Sequence, residues 1–170
     1  MQVPKIIRDR RSVRAYQKKE IPIDVLRAVL EAARLAPSAN NRQPWKFVVV
    51  RDPAKRKALA KAAKEQQFVA EAPVVIAAVA LEPERVMTCG VSAAAVDLSI
   101  ATDHIQLAAV EHGIGSCWLG AFYQEDVKKI LEIPPEYKVI ALLPLGYPAD
   151  QPGYKSRKPI EEVVTYDKWS

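Results

Sequence analysis

A long helical pattern near the middle of the chain constrains the fold more than any other feature. Residues 91–111 are apolar on nearly every face of a helix and are rich in alanine and serine, which is typical of a helix buried on several sides. The run contains Asp97, Asp103 and His104, and charges there are costly in lipid. The pattern therefore predicts a buried helix of a globular protein, ending at Gly113 as at a C-terminal cap, and not a membrane span.

The remaining segments predict shorter elements that would cover this helix. Helices are predicted from Ile21 to Pro37, from Asp52 to about Phe68 and over Glu125–Leu131. Apolar runs predict strands at 47–50, 74–80, 116–120 and 138–148, and residues 82–89 are predicted to be a loop. Strands alternating with helices indicate a sheet with helices on its faces. The length of 170 residues suits a single domain over residues 1–170.

The composition narrows the class of partner. A formal net charge of +5 suits nucleic acid, an anionic membrane or a phosphorylated small ligand. The small ligand is favoured, with neither nucleic acid nor a membrane as partner, because the basic residues are spread along the chain and no nucleic-acid-binding motif appears. Cys89 and Cys117 have no metal-ligand spacing, so the sequence predicts no metal site and two free thiols in a reducing compartment. Residues 1–14 lack the apolar segment of a secretory signal, and a cytoplasmic location is expected.

A basic segment near the start, RDRRSVRAYQ over residues 8–17, raises the question of what so much positive charge contacts. If the segment is extended, Arg10, Ser12 and Arg14 point to one face, and Arg11 and Val13 point to the other. Two guanidinium groups beside a hydroxyl form a good receptor for a phosphate. The alternative is a solvated basic strand or a turn that enters a helix, and these residues alone leave both interpretations open.

The sequence offers little for catalysis by side chains. The stretch GIGSCW at 113–118 places Trp118 where a dinucleotide-binding fingerprint needs its third glycine, and it follows a helix instead of a strand. His104 and His112 are the only histidines. We expect His104 to be a polar position on the long helix and His112 to be a cation at its C-terminus. The chemistry is therefore predicted to come from a cofactor.

Several segments together resemble the FMN-dependent nitroreductase family, and the chain is similar to its short members. They are RRSVRAY at 10–16, APSANNRQPWKFVVV at 36–50, GIGSCWLGAF at 113–122 with LLPLGYP at 142–148, and KSRKPIEEVV at 155–164. The resemblance covers about residues 6–164. It implies an α+β fold, with a mostly antiparallel sheet flanked by helices, in an intertwined homodimer that holds two FMN molecules in its interface.

The resemblance also implies roles for the basic segment. Arg10 and Ser12 would reach the FMN phosphate and ribityl chain, and Arg14 would reach the flavin ring, where a cation raises the reduction potential. Arg157 would close on the phosphate from the tail. Lys158 would either join Arg157 or belong to a solvated pair of charges.

A second group of implied contacts surrounds the flavin ring. Ser38 and Asn41 would hydrogen-bond the flavin or ribityl from the other subunit, or else they only hold a turn. Leu119 and Gly120 would offer backbone groups near flavin N5, and Gln43 has either a cofactor role or a structural one. The complete implied set of cofactor-binding residues is Arg10, Arg11, Ser12, Arg14, Pro37, Ser38, Asn41, Gln43, Leu119, Gly120, Arg157 and Lys158.

The mechanism implied by the resemblance is ping-pong transfer of a hydride. NADH or NADPH would reduce the flavin at N5 and leave, and a nitroaromatic, a quinone or a related small acceptor would then be reduced, with no catalytic side chain required. Alternatives are another FMN-dependent reaction of the same family, such as a dehalogenase or a dehydrogenase, and a non-catalytic FMN-binding module. A third is a basic nucleic-acid-binding protein.

Overall fold

The computed structural model describes residues 3–150 and 152–169, in which helices pack against a four-stranded sheet. In chain order the helices are α1 (Lys5–Asp9), α2 (Ile23–Arg34), α3 (Pro53–Ala62), α4 (Phe68–Glu71), α5 (Ala93–Glu111) and α6 (Gln124–Leu131). The strands are β1 (Trp45–Val50), β2 (Val74–Ala80), β3 (Gly115–Ser116) and β4 (Lys138–Gly146), and short 3-10 turns cover Ala39–Asn41 and Ile160–Glu162. The predicted α+β class is confirmed.

The sheet has the order β1-β2-β4-β3, and every neighbouring pair is antiparallel. The register defines two ends. At the Ala80 end, Trp45 lies opposite Ala80, and at the Leu145 end, Leu145 pairs with both Val74 and Ser116. The two ends of β2 are about 20 Å apart at the usual rise of a strand.

The two faces of the sheet carry different helices, because successive strand residues point to opposite sides. Val74 and Ile76 of β2 share one hydrophobic cluster with α2 and α5, and Val75 and Ala77 share another with α3, α4 and α6. The predicted buried helix is confirmed, although it begins at Ala93, where the Ser92 hydroxyl accepts a hydrogen bond from the Ala95 amide. Within the described ranges, no helix has the length and apolarity that crossing a membrane requires.

Two predicted elements are wrong in their extent. The helix expected from Asp52 to Phe68 ends at Ala62, because Lys64 and Glu65 adopt left-handed φ angles of 58° and 60° before α4 begins. The strand expected at 116–120 is paired only over Gly115–Ser116, with an isolated bridge at Leu119. The Cys117 amide donates to the Pro144 carbonyl, but proline has no N–H to return the bond, so the ladder is interrupted there.

The start of the chain also differs from the simplest expectation. Arg8 and Asp9 belong to α1, a five-residue helix that the sequence pattern did not reveal. The chain leaves α1 at Arg10 and then runs without helical structure to Tyr16. The extended part of the basic segment therefore begins at Arg10, two residues after Arg8, the first residue of the segment.

Candidate functional site

The basic segment lies along β3 at the Leu145 end of the sheet. Ser12 bridges Ser116, and the Val13 amide donates to the Ser116 carbonyl at 2.9 Å. Val13 is buried against Gly115, where an added Cβ would lie 2.4 Å from Val13 Cγ2. This close approach requires a glycine at position 115. It also determines how far Arg10, Ser12 and Arg14 lie from β3, the edge strand of the sheet.

Tyr16 ties the other end of the segment to β4. Its hydroxyl lies 2.8 Å from the Val13 carbonyl and 3.2 Å from the Pro144 carbonyl, both of which accept from it. Burial raises the pKa of Tyr16 well above its ordinary value, so the hydroxyl remains a donor. Hydrogen bonds from this one buried hydroxyl therefore join the basic segment to β4.

Arg10, Ser12 and Arg157 line one small cleft, together with Lys155 and Arg11. The cleft has a volume of about 60 Å³. Its lining includes no acidic residue, and none of its cations pairs with an acid anywhere in the described chain. Uncompensated guanidinium and ammonium groups beside a hydroxyl fit a phosphate, which they would bind by charge-assisted hydrogen bonds.

Arg11 separates this cleft from a larger cavity. Its guanidinium donates to the Arg8 and Arg10 carbonyls and lies 5.2 Å from the Tyr154 ring centroid. With Val13 it also lines a cavity of about 420 Å³ on the other side of the segment. Arg11 thus shares a face with Val13, as alternation predicts, but it also borders the cleft. Although the second cavity is larger, it suits an anion poorly because acidic Asp9 and Asp150 line it.

The pKa of the buried Cys117 thiol is affected by several of these cations. Burial raises the pKa of the Cys117 thiol, and the positive charges of Arg14, Arg10 and Lys155 oppose that rise. These cations come from two segments far apart in sequence, yet each is near enough to act on one sulfur. The tail and the basic segment therefore form one electropositive surface.

Arg14 points toward a different neighbourhood, which we call the ring end of the site. Its side chain is exposed, and the guanidinium lies 6.0 Å from the Phe68 ring centroid. Beside Phe68, the Gln66 side chain donates to the Ala121 carbonyl at 3.4 Å. Gly120 is exposed, and an added Cβ there would meet none of the described atoms within 4 Å. Arg14 is thus linked through Phe68 and the turn at 63–67 to the loop that follows Gly120, where the family resemblance implies the flavin ring.

Leu119 is committed to the sheet. Its amide donates to the Leu142 carbonyl at 2.9 Å, and its carbonyl accepts from the Leu142 amide at 3.0 Å. Both backbone groups that Leu119 was expected to offer a flavin are therefore paired within the sheet, which leaves Gly120 as the residue of the pair with open space beside it.

The polar loop that follows exposed Pro37 lies at the Ala80 end of the sheet, with its side chains bonded within the loop. The Ser38 hydroxyl accepts from the Gln43 amide at 2.9 Å, and the Gln43 side chain donates to Asn41 at 3.3 Å. Asn40, Asn41 and Gln43 all have left-handed φ angles and are exposed. Such strain in non-glycine residues costs free energy and is concentrated at functional sites.

Two charged contacts fix this loop to the rest of the chain. The Ala39 amide donates at 3.0 Å to the buried carboxylate of Asp97 on α5, and Arg42 forms a two-pronged ion pair with Glu82. The Leu81 amide also donates to the Pro44 carbonyl. Within one chain the loop is thereby held about 20 Å from the basic segment, at the opposite end of β2.

Other residues refine the predicted set. Lys158 is outside the cleft lining, with its ammonium 3.9 Å from Glu162. Lys155 lines the cleft, although the sequence reasoning gave it no role. The sequence pattern that could have identified Lys155 is the alternation in KSRK, in which Lys155 and Arg157 are two residues apart. The turn at 63–67 was missed because its residues carry no motif and a helix was expected to continue to about Phe68.

The fold and the site define an α+β protein with an acid-free cationic cleft at one end of its sheet. A sequence profile of the nitroreductase family matches residues 7–147. An NADH dehydrogenase of Thermus thermophilus is 38% identical, over 92% of each chain. A nitroreductase family protein of Clostridium novyi has a solved structure that is 34% identical, with a TM-score of 0.83 over 99% of this chain and 95% of that one.

A further solved structure is of a protein described by its cofactor. An FMN-dependent nitroreductase of Clostridium difficile is 27% identical, with a TM-score of 0.82 over 96% of this chain and 98% of that one. The profile match over most of the chain and the Thermus relative at 38% identity show that this chain belongs to the nitroreductase family.

Proposed function

We propose that this chain, an FMN-dependent NAD(P)H oxidoreductase of the nitroreductase family, reduces a small acceptor such as a nitroaromatic or a quinone. The observation that carries the proposal is the acid-free cationic cleft, because it brings together Arg10, Ser12 and Arg157, for which the family resemblance implies contacts with the FMN phosphate. The names of the Thermus relative and of the Clostridium difficile structure, which refer to NADH and to FMN, agree with it.

The residues present fit FMN in two parts. Arg10, Ser12, Lys155 and Arg157 would hold the phosphate in the cleft, and Arg14 would place a positive charge beside the ring. When bound, FMN supplies hydride chemistry at its N5 atom. The chain's own residues bind the cofactor, orient it and leave space for the reacting molecule beside Gly120.

We also propose that the working form is a homodimer in which Ser38 and Asn41 of one chain complete the site of the other. The cleft of about 60 Å³ is far smaller than the roughly 300 Å³ or more of a pocket that encloses a small ligand. The loop that carries Ser38 lies at the Ala80 end of its own sheet, whereas the cleft lies at the Leu145 end, so this loop would not contact a cofactor bound in the cleft of its own chain. The tail also presents large exposed apolar side chains, which favour burial against a second chain: Ile160, Val163, Tyr166 and Trp169.

The remaining parts of the proposal concern organisation and location. We propose that residues 1–170 act as one domain, since both hydrophobic clusters share the same sheet. A cytoplasmic location is supported by Cys89 and Cys117, which are both free thiols, as is usual in reducing compartments.

The experiment is to purify the protein and record its absorbance spectrum before and after anaerobic addition of NADH or NADPH. We expect a flavin spectrum that bleaches with at least one donor and returns when a quinone or a nitroaromatic is added. A flavin spectrum that neither donor bleaches would instead indicate a non-catalytic FMN-binding module. A colourless protein that binds DNA with a steep dependence on salt would overturn the proposal.

A further inference from the structure

A row of lysines leads along α3 to the ring end of the site. Lys57 and Lys61 lie one turn apart on the helix, and Lys64 follows in the turn after it. All are exposed, and none forms an ion pair with a residue of 3–150 or 152–169. We call these residues the lysine ridge.

The ridge begins beside the open space at Gly120. The Lys64 ammonium lies 6.0 Å from the ring centroid of Tyr123, which is 56% exposed. The Tyr123 amide donates to the Ala62 carbonyl at 2.8 Å, so the end of α3 is joined to the loop that follows Gly120. A molecule that enters the ring end and extends past this loop therefore meets Lys64 first and Lys57 last.

A merely solvated face does not account for this arrangement well. Lys57 and Lys61 are like charges at i and i+4, and such a pair destabilises a helix by a few tenths of a kcal/mol. Lys61 lies in the last turn of α3, where a cation offsets the helix dipole, but that explanation does not extend to Lys57 or Lys64. Lys64 moreover has a left-handed backbone conformation, which is costly for a residue with a Cβ.

We infer that the lysine ridge binds the phosphates of the pyridine dinucleotide donor; the inference rests on the proposed function. A donor whose nicotinamide enters the ring end carries its pyrophosphate next and its adenosine ribose beyond. Lys57 and Lys61 are about 6 Å apart along α3, and Lys64 lies three residues further on, in the turn after the helix. Lys64 thus binds the pyrophosphate, which NADH and NADPH share, and Lys57 binds the 2′-phosphate, which only NADPH carries.

The test compares Lys64→Gln, Lys57→Gln and a control, Lys129→Gln, in the FMN-loaded protein. Lys129 is exposed on α6 and has no ion pair in the described part of the chain. The measurements are kcat/KM for NADH and NADPH, and calorimetric binding of NAD⁺ and NADP⁺, which needs no turnover. Lys64→Gln should weaken both dinucleotides about fivefold, the scale of one exposed ion pair. Lys57→Gln should weaken only NADPH and NADP⁺, and Lys64→Arg should restore binding.

The inference is overturned if both lysine variants bind the dinucleotides as the Lys129 control does. It is also overturned if Lys57→Gln weakens NAD⁺ as much as NADP⁺, because the ridge would then act only through its general charge. The proposed function fails separately, if the wild-type protein oxidises neither donor. Binding of NAD⁺ and NADP⁺ still decides the role of the ridge in that case.

Discussion

Arg10 is the residue whose contribution is easiest to isolate, because it lies in the acid-free cleft and not at the ring end. Arg10→Ala should reduce the preference for FMN over riboflavin by roughly 2 kcal/mol, the scale of a charge-assisted hydrogen bond lost together with its charge. The measurement is the dissociation constant of each flavin with the apoprotein. Arg27→Ala, an exposed arginine on α2, is the control. An unchanged FMN-to-riboflavin ratio in Arg10→Ala would refute the phosphate assignment.

Arg14 should act on the reduction potential more than on affinity, because its guanidinium lies near Phe68 and outside the acid-free cleft. Its positive charge favours the form of the ring that has gained negative charge. Arg14→Gln should therefore lower the two-electron potential by about 30 mV, equivalent to about 1.4 kcal/mol, with a smaller loss of FMN affinity than Arg10→Ala.

Spectroelectrochemical titration measures this potential. Arg11→Gln is the control, since the Arg11 side chain stacks over Tyr154 and borders the cleft instead of the ring end. A larger shift from Arg11→Gln than from Arg14→Gln would contradict the division of roles along the segment.

Tyr16 gives the fold a dependence on alkaline pH. Its pKa is raised in the folded chain by burial, so the protonated hydroxyl stabilises the fold fully below its ordinary pKa of 10.0. Above that value the unfolded chain loses the proton first, and the stabilisation is lost as pH rises. Tyr16→Phe should destabilise the protein near neutral pH by about 1 kcal/mol, one hydrogen bond, and the difference should shrink above pH 10. A wild-type to variant difference that stays constant in urea unfolding from pH 8 to 11 would contradict it.

At the scale of elements, the contact between the basic segment and β3 depends on Gly115. An alanine there would place Cβ 2.4 Å from Val13 Cγ2, so the segment must move away from the sheet. We expect Gly115→Ala to weaken FMN binding at least tenfold and to lower the free energy of unfolding by about 1–3 kcal/mol, the usual cost of overpacking. The double variant Gly115→Ala/Val13→Ala should recover FMN affinity relative to Gly115→Ala. No recovery would mean that the contact does not position the segment.

The elements also show what the sequence can and cannot predict. The helix at α5 and the strand at β2 were predictable because burial on all sides leaves a long apolar signal. The break between α3 and α4 was not, because Ala, Lys and Glu favour helix, and no local pattern indicates the left-handed φ angles that Lys64 and Glu65 adopt. Strand alternation predicted Arg10 and Ser12 on one face, and both line the cleft, although Arg11 of the opposite face borders it too and Arg14 does not. Lys155 was not found by that reasoning, since a tail of exposed residues gives no indication of where it docks.

At the scale of the whole molecule, the sheet separates two groups of predicted cofactor contacts. Arg10 lies at the Leu145 end, and Asn41 lies at the Ala80 end, where Asp97 holds the loop. Asp97 is about 21 Å along α5 from its last residue, Glu111, which precedes β3. An extended segment from Arg10 to Arg14 spans only about 13 Å. One chain therefore does not bring the two groups onto one cofactor, which supports the proposed homodimer, in which two chains in opposite orientation would do so.

Mixed dimers test this arrangement directly. Arg10→Ala and Asn41→Ala chains should each bind FMN poorly alone, because every site lacks one contact. If each site combines Arg10 of one chain with Asn41 of the other, a mixed dimer contains one site with both defects and one with neither. Refolding the two variants together should then restore tight FMN binding to half of the sites in each mixed dimer, measured by flavin fluorescence quenching after isolation by two affinity tags. If both contacts come from the same chain, each site keeps one defect, and mixed dimers would bind FMN no better than the parents.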